Sequence, residues 1–248
     1  MISGVQRKRL SLADRLIPAA LIVLSIIPIL VGVIRLITGS NPRLFTSPLP
    51  IVLHIISVSL YIVLGAFQFS PGLRRRSLHW HRVAGRLLIP SGLVVALSGL
   101  WMSHFYPWQK HDGVVLYGLR LMFGSAMFLS LLLGADAIRR RNFKQHGAWM
   151  IRAYAIAAGT GTQVFTFLPW VLFPDLQGET VKAVATGAAW VINLIVAEWL
   201  IHRHMKRRKR SNVRRTQISL QRPGTQDFRK IQKQSSIPNA PRAYKGET

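Results

Sequence analysis

The chain has 248 residues, of which 50% are hydrophobic, carries a net charge of +25 and contains no cysteine. The missing cysteines exclude disulfides, thiolate catalysis and cysteine-ligated metals or iron–sulfur clusters, so histidine must carry any transition-metal chemistry. Several apolar stretches reach about 20 residues, the length that an α-helix needs to cross roughly 30 Å of hydrocarbon. The sequence therefore predicts an all-α integral membrane protein.

The apolar runs predict a bundle of about six transmembrane helices. The spans cover residues 17–37, 49–69, 83–103, 114–138, 148–173 and 181–201. They divide the chain into a basic N-terminal arm of residues 1–16, a membrane domain of residues 17–201 and a basic tail of residues 202–248.

The distribution of lysine and arginine predicts how the spans are oriented. With six spans, the N-terminal arm, the second and fourth loops and the tail share one side, and 28 of the 33 Lys and Arg residues lie there. Cytoplasmic loops accumulate these residues, so both termini are expected in the cytoplasm, with the protein in the cytoplasmic membrane. The first span is longer than the core of a signal peptide and lacks an A-x-A-like cleavage site, which favours an uncleaved anchor.

The tail changes to a polar composition rich in Arg, Lys, Gln, Ser and Pro, which predicts disorder. Its polybasic run at residues 206–210 directly follows the sixth span and is expected to attract anionic lipid head groups. Because membrane topology accounts for the positive charge, no nucleic-acid partner is expected. The chain also lacks the glycine-rich nucleotide-binding motifs and H-E-x-x-H.

Three spans carry polar or small residues at helical spacing, which places each set on one face. These faces are expected to point into the bundle, because unpaired polar groups are costly in lipid and small residues permit close helix packing. The sets are His54, Ser57, Tyr61, Gly65 and Gln68 in the second span; His81, Gly85, Gly92, Ala96, Gly99 and Ser103 in the third; and Arg152, Gly159, Gln163, Thr166 and Trp170 in the fifth.

Sorted by depth, the histidines and arginines of the spans form two clusters. The outer cluster comprises His54, His104 and Arg120, and the inner cluster comprises His81, Arg86, His146 and Arg152. Neither has a convincing carboxylate partner nearby in the sequence. Asp136 and Glu198 lie near the inner helix ends, where either one could neutralise an arginine.

Three segments, HIISVSLYIVLGAFQFSPGLRRR, HWHRVAGR and HGAWMIRAYA, contain four spaced motif elements. In order, the elements are His54; Gly65, Phe67, Gln68 and Phe69; His81, Arg82, Gly85 and Arg86; and His146, Trp149, Met150 and Arg152. This pattern resembles a bacterial family of predicted membrane proteins, domain of unknown function 2306. The resemblance covers roughly residues 49–169 and implies a membrane protein, but no particular activity.

The sharpest functional hypothesis is a b-type haem or related redox site. Imidazoles from facing helices are suitable axial ligands of haem iron, and arginines can pair with haem propionates. His81 and His146 would ligate the iron of an inner site, and His54 and His104 that of an outer one. The structural alternative is that His81 and His146 contact head groups or loop carbonyls, while His54 makes an interhelical hydrogen bond.

Two other classes of function are open. In a transport or solute-binding protein, Arg120, His54, Tyr61 and Gln163 would line a polar cavity for an anionic or protonatable solute. In a non-catalytic scaffold, the basic tail would dock on anionic lipid or an acidic partner. No serine, cysteine or paired-carboxylate arrangement supports hydrolysis.

Overall fold

The computed structural model describes residues 12–39, 47–70, 72 and 77–220, and within these ranges all regular structure is helical. The helices are α1 (Leu12–Ile37), α2 (Pro48–Gln68), α3 (Leu78–Phe105), α4 (Val114–Arg139), α5 (Phe143–Ala157), α6 (Gly159–Thr166), α7 (Leu168–Leu172) and α8 (Glu179–Leu220), with a 3₁₀ turn at Pro174–Leu176. The predicted all-α class is confirmed. Predictions made for residues 1–11, 74–76 and 221–248 lie outside the described residues.

Five helical segments within the described ranges are long and apolar enough to cross a membrane. They are Arg15–Ile37, Pro48–Gln68, Leu78–Phe105, Val114–Arg139 and Glu179–Arg203. A sixth crossing arises if α5 and the following segment Gly159–Leu172, which are bent by 41° relative to each other, count as one span. The helices therefore agree with the prediction of about six spans.

The fifth span differs from the continuous helix predicted at residues 148–173, because the helix breaks at Ala158. Gly159 and Gly161 follow the break, and glycine weakens a helix by roughly 1 kcal/mol relative to alanine. The side chain of Asn193 in α8 donates to the carbonyl of Ala155 at 3.1 Å and accepts from the hydroxyl of Thr162 at 2.9 Å. The Asn193 amide thus satisfies a backbone carbonyl that lipid could not, and the Thr162 hydroxyl holds that amide in place.

Helices α2 to α5 surround a common apolar core. Its most buried large residues include Tyr61, Ile62, Phe123, Leu131 and Tyr154. A β-carbon added at Gly92 of α3 would lie 2.7 Å from the ring of Tyr61 and 2.9 Å from Leu131, so the small residue permits this packing. The predicted polar face of α2 and the small-residue face of α3 therefore do point into the bundle.

The order of the helices in the bundle follows from their contacts. Helices α2 and α4 each pack against both α3 and α5, so α3 and α5 occupy diagonal positions, while α1 packs on α2 and α6. The α2–α3 and α4–α5 connections lie at one end of the bundle, called here the His81 end. The α3–α4 connection lies at the other end, called here the Asp112 end.

Aromatic side chains concentrate at the Asp112 end. The ring of Trp101 lies 5.0 Å from that of Phe105 and 5.5 Å from that of Tyr106, and Trp108 lies 5.9 Å from Tyr117. Tryptophan and tyrosine are enriched where a membrane helix meets water. These rings are therefore consistent with a membrane boundary at this level.

Helix α8 extends to Leu220, beyond the residue where a disordered tail was predicted to begin. Residues 202–220 are thus helical in the structure. Arginine, lysine and glutamine are good helix formers, although the polar composition alone did not predict a helix here.

Candidate functional site

Two side-chain caps place His81 and His146 at equivalent positions in the first turns of α3 and α5. Ser77 Oγ accepts a hydrogen bond from the N–H of Trp80, and Asn142 Oδ1 accepts one from the N–H of Gln145, both at 3.2 Å. The N–H groups of His81 and His146 donate to the carbonyls of the same two capping residues, at 3.3 and 3.0 Å. Both half-buried imidazoles therefore lie at the His81 end, on diagonal helices.

The ring of His146 has a defined orientation. Its Nδ1 lies 2.8 Å from the carbonyl oxygen of Gly134 in α4. A carbonyl can only accept, so Nδ1 carries the proton of this bond, and in the neutral ring Nε2 holds the lone pair. His146 therefore contacts a backbone carbonyl, as in the structural alternative, but this carbonyl belongs to helix α4 and not to a loop. The contact uses Nδ1 and leaves Nε2 as an acceptor.

Arg152 is paired with a carboxylate. Its Nε and one terminal nitrogen donate to the two carboxylate oxygens of Glu198 in α8 at 2.5 and 3.0 Å, and its guanidinium lies 4.6 Å from the centre of the Trp149 ring. Asp136 pairs with Arg140 at 2.8 Å. The expectation that Glu198 and Asp136 neutralise arginines is borne out, and the Glu198 pair makes Arg152 a poor candidate for a ligand carboxylate.

Arg86 has the opposite environment. It is exposed on α3 and makes no hydrogen bond or ion pair with any residue that the structure describes. Among the arginines named in advance for the His81 end, Arg86 is therefore the one whose charge a ligand could use.

Gln68 introduces an unsatisfied buried donor at the same end. Its Nε2 is inaccessible to solvent and has no hydrogen-bond partner among the described residues. Its two neighbours are fixed by aromatic contacts, Phe67 with Trp80 at 6.4 Å and Phe69 with Tyr154 at 4.7 Å. Buried donors without an acceptor cost about 1–3 kcal/mol, so this amide marks a place where a ligand or water would be stabilised.

At the Asp112 end, Arg120 has a carboxylate partner that the sequence analysis missed. Asp112 lies in the α3–α4 connection and accepts two hydrogen bonds from Arg120, at 2.8 and 3.2 Å, and an ion pair from Lys182 of α8 at 2.7 Å. Its side chain is only 3% exposed. Burial opposes ionisation, but the hydrogen bonds from Arg120 and Lys182 outweigh it and lower the pKa of the Asp112 carboxyl to about 2.

His54 and His104, named as a possible outer ligand pair, bind different partners. His54 Nδ1 lies 2.9 Å from Ser98 Oγ, whose hydroxyl donates to the Val94 carbonyl at 2.5 Å. His104 Nδ1 lies 2.9 Å from the Tyr117 hydroxyl, in an exposed position. His54 therefore makes the interhelical hydrogen bond that was the structural alternative to ligation.

The four residues that were expected to line a solute cavity do not share contact partners among the described residues. Arg120 is engaged by Asp112, His54 by Ser98, and Tyr61 packs on Gly92 and the ring of Tyr154. Gln163 lies on α6. Within the described ranges, no three histidine or carboxylate side chains are grouped to hold a metal ion. A pair of axial imidazoles is a different arrangement and needs only two.

The helices, their apolar surfaces and the aromatic residues at one boundary define a multi-pass, all-helical membrane protein. The chain belongs to the family described as Predicted membrane protein (DUF2306), whose model matches residues 51–201. The matched range extends past the segment recognised in the sequence and includes the sixth predicted span. No curated protein and no solved structure matches the chain.

Proposed function

We propose that the protein is a membrane redox protein that holds a b-type haem at the His81 end through His81 and His146. The observation that carries this proposal is the hydrogen bond from His146 Nδ1 to the Gly134 carbonyl at 2.8 Å. Histidines that ligate a metal commonly donate their other ring N–H to a backbone carbonyl or carboxylate, which fixes the tautomer and the ring orientation.

The surroundings of His81 support the same proposal. Gly85 lies one turn beyond His81 on the same face of α3, and a β-carbon added there would meet no atom within 4 Å. A flat ring system can approach a helix closely at a glycine. Because α3 and α5 are diagonal, a ligand between their first turns would be enclosed by α2 and α4.

The donors at this end fit a dicarboxylate macrocycle. Within the described part of the chain, the buried amide N–H of Gln68 and the guanidinium of Arg86 have no partner. When bound, haem would supply one-electron transfer, which no side chain of this cysteine-free chain can supply as readily. The residues of the chain would hold the ring, fix the imidazole of His146 and neutralise the propionates.

The test is a dithionite-reduced-minus-oxidised visible spectrum of the detergent-purified full chain, expressed with adequate haem. We expect a b-type spectrum that His81→Ala and His146→Ala abolish and that His104→Ala, at the opposite end, leaves unchanged. A spectrum without haem bands in the wild-type protein, or bands that survive both ligand substitutions, would overturn the proposal. Thermal unfolding of each variant shows whether it remains folded.

We also propose that both termini lie in the cytoplasm of a bacterial cell. The support is the excess of lysine and arginine on the side shared by the termini and the His81 end. Since the chain has no cysteine, single cysteines can be labelled without background. In intact cells, an impermeant maleimide should label Asp175→Cys and should not label Ser211→Cys; the reverse pattern would invert the topology.

The basic segment after the last span supports binding to anionic lipid at the cytoplasmic surface. In vesicles that contain phosphatidylglycerol, trypsin should cleave the tail several-fold more slowly than in vesicles of phosphatidylcholine alone. Replacing residues 206–210 with glutamine should abolish that difference. Equal cleavage of the unchanged protein in both vesicles would exclude lipid binding by this segment.

A further inference from the structure

The contact between α1 and α6 brings two irregular helix segments together inside the membrane span. Pro28 of α1 has no N–H, so the carbonyl of Leu24, four residues earlier, lacks its usual helical donor. A β-carbon added at Gly161, just after the break at Ala158, would lie 2.6 Å from that carbonyl oxygen. The glycine therefore allows α6 to lie directly against a carbonyl that proline has freed.

The next residue of α1 adds a buried hydroxyl without a partner in the described part of the chain. Ser25 is 3% exposed, and its hydroxyl has no hydrogen-bond partner among the residues that the structure describes. A serine in a membrane helix commonly donates to a carbonyl of the preceding turn, as Ser59 does to Ile55 at 2.8 Å. The hydroxyl of Ser25 is thus a buried polar group whose desolvation is not offset by a bond.

The neighbouring residue of α6 contributes further oxygens. Thr162 follows Gly161 and donates its hydroxyl proton to Asn193 Oδ1 of α8 at 2.9 Å, which leaves the lone pairs of Thr162 Oγ1. The amide nitrogen of Asn193 is already used by the Ala155 carbonyl at 3.1 Å. The oxygens of Thr162 and Asn193 therefore keep lone pairs that can accept or coordinate.

We propose that a small monovalent cation binds between α1 and α6, coordinated by the carbonyl of Leu24, the hydroxyl of Ser25 and the oxygens of Thr162 and Asn193. These four ligands are neutral, whereas Ca²⁺ and Mg²⁺ sites normally include carboxylates. Carbonyl and hydroxyl oxygens at broken membrane helices are suited to Na⁺. The site lies on α1, α6 and α8, so it is independent of haem at His81 and His146.

The cation would also account for the close approach of Gly161 to the Leu24 carbonyl. Lipid cannot satisfy the Leu24 carbonyl, which Pro28 leaves without its helical donor. One ion shared with the side-chain oxygens of Thr162 and Asn193 would satisfy this carbonyl and hold α1 against the rest of the bundle. The expected consequence is a protein whose thermal stability depends on the identity of the monovalent cation.

The experiment is thermal unfolding of the detergent-purified full chain, followed by tryptophan fluorescence, in NaCl, KCl or choline chloride at equal ionic strength. Choline is too large for the site and is the reference. We expect Na⁺ or K⁺ to raise the unfolding temperature by about 5 °C in a saturable manner. Equal unfolding temperatures in all three salts would overturn the proposal.

Ser25→Ala distinguishes an ion ligand from a structural residue. Since this hydroxyl has no partner among the described residues, its removal should leave the unfolding temperature in choline unchanged or slightly higher. The concentration of Na⁺ or K⁺ needed for half of the shift should rise at least tenfold. Ser59→Ala, which removes a hydroxyl bonded within α2, should retain the wild-type cation dependence. A wild-type response in Ser25→Ala would exclude this site.

Discussion

Asp112 accepts hydrogen bonds from both terminal nitrogens of Arg120, at 2.8 and 3.2 Å, and thereby ties the α3–α4 connection to the second turn of α4. Lys182 adds a link to α8 by contacting both Asp112 and the carbonyl of Lys110. A single buried carboxylate therefore joins two membrane helices and a loop. Its removal would leave two cations without their shared partner.

Asp112→Asn is expected to destabilise the protein by about 2 kcal/mol, because charge-assisted hydrogen bonds to a buried carboxylate are lost. The midpoint of thermal unfolding should fall by about 5 °C. Asp136→Asn is the matched control, since its ion pair with Arg140 is largely exposed and should contribute less than about 0.5 kcal/mol. Equal effects of the two substitutions would contradict the role assigned to Asp112.

The same carboxyl predicts a dependence of stability on pH. Its pKa is about 2 in the folded protein, below its ordinary value of 3.8, so folding favours the ionised form. The stabilisation is fully present above about pH 4 and is lost as the pH falls towards 2. The difference in unfolding temperature between wild type and Asp112→Asn should therefore narrow over this range. A difference that stays constant would assign the stabilisation to another group.

Arg152→Lys is expected to cost about 1 kcal/mol in spite of retaining the charge. Lysine cannot donate to both oxygens of Glu198 in the same planar geometry, and it stacks less well on Trp149. Arg140→Lys, at an exposed position, should have almost no effect on thermal unfolding. Indistinguishable unfolding temperatures for the two variants would show that the geometry of the Arg152 pair does not matter.

Two glycines should respond to alanine in opposite directions. At Gly92 a methyl group would collide with Tyr61 and Leu131, so Gly92→Ala should destabilise by about 1–3 kcal/mol. At Gly118 it would meet no atom within 4 Å, so Gly118→Ala should stabilise α4 by up to about 1 kcal/mol. Thermal unfolding of both variants checks this, and stabilisation by Gly92→Ala would contradict the packing described for α2 and α3.

Hydrophobic length and periodicity were sufficient to predict the spans and the inward faces of α2 and α3, because these properties depend on residues within one helix. Gly92 lies against Tyr61 and Gly99 against His54, so residues of the two predicted faces meet inside the bundle. That Glu198 neutralises an arginine was also predicted from its place near the inner helix ends, and the structure identifies that arginine as Arg152.

The remaining features depend on contacts between distant parts of the chain. Asp112 lies in a loop, and its ion pair with Lys182 joins residues 70 positions apart. No local pattern in the sequence connects two such distant residues. The break at Ala158 is stabilised by Asn193 of another helix, although the pair Gly159 and Gly161 was a local signal of weakness. The predicted ligand roles of His54, His81, His146, Arg86, Arg120 and Arg152 stay predictions until the spectrum is measured.

The contact between Gly161 and the carbonyl of Leu24 bears on how the family region can be isolated. The family model begins at residue 51, whereas α1 ends at Ile37 and packs against both α2 and α6. A fragment that started at residue 51 would lack α1 and would expose the surface around Gly161 to lipid tails. Lipid tails cannot pack against this surface as closely as the backbone of α1 does. The start of the family match therefore does not mark the start of the folded domain, because the first helix is part of its packed bundle.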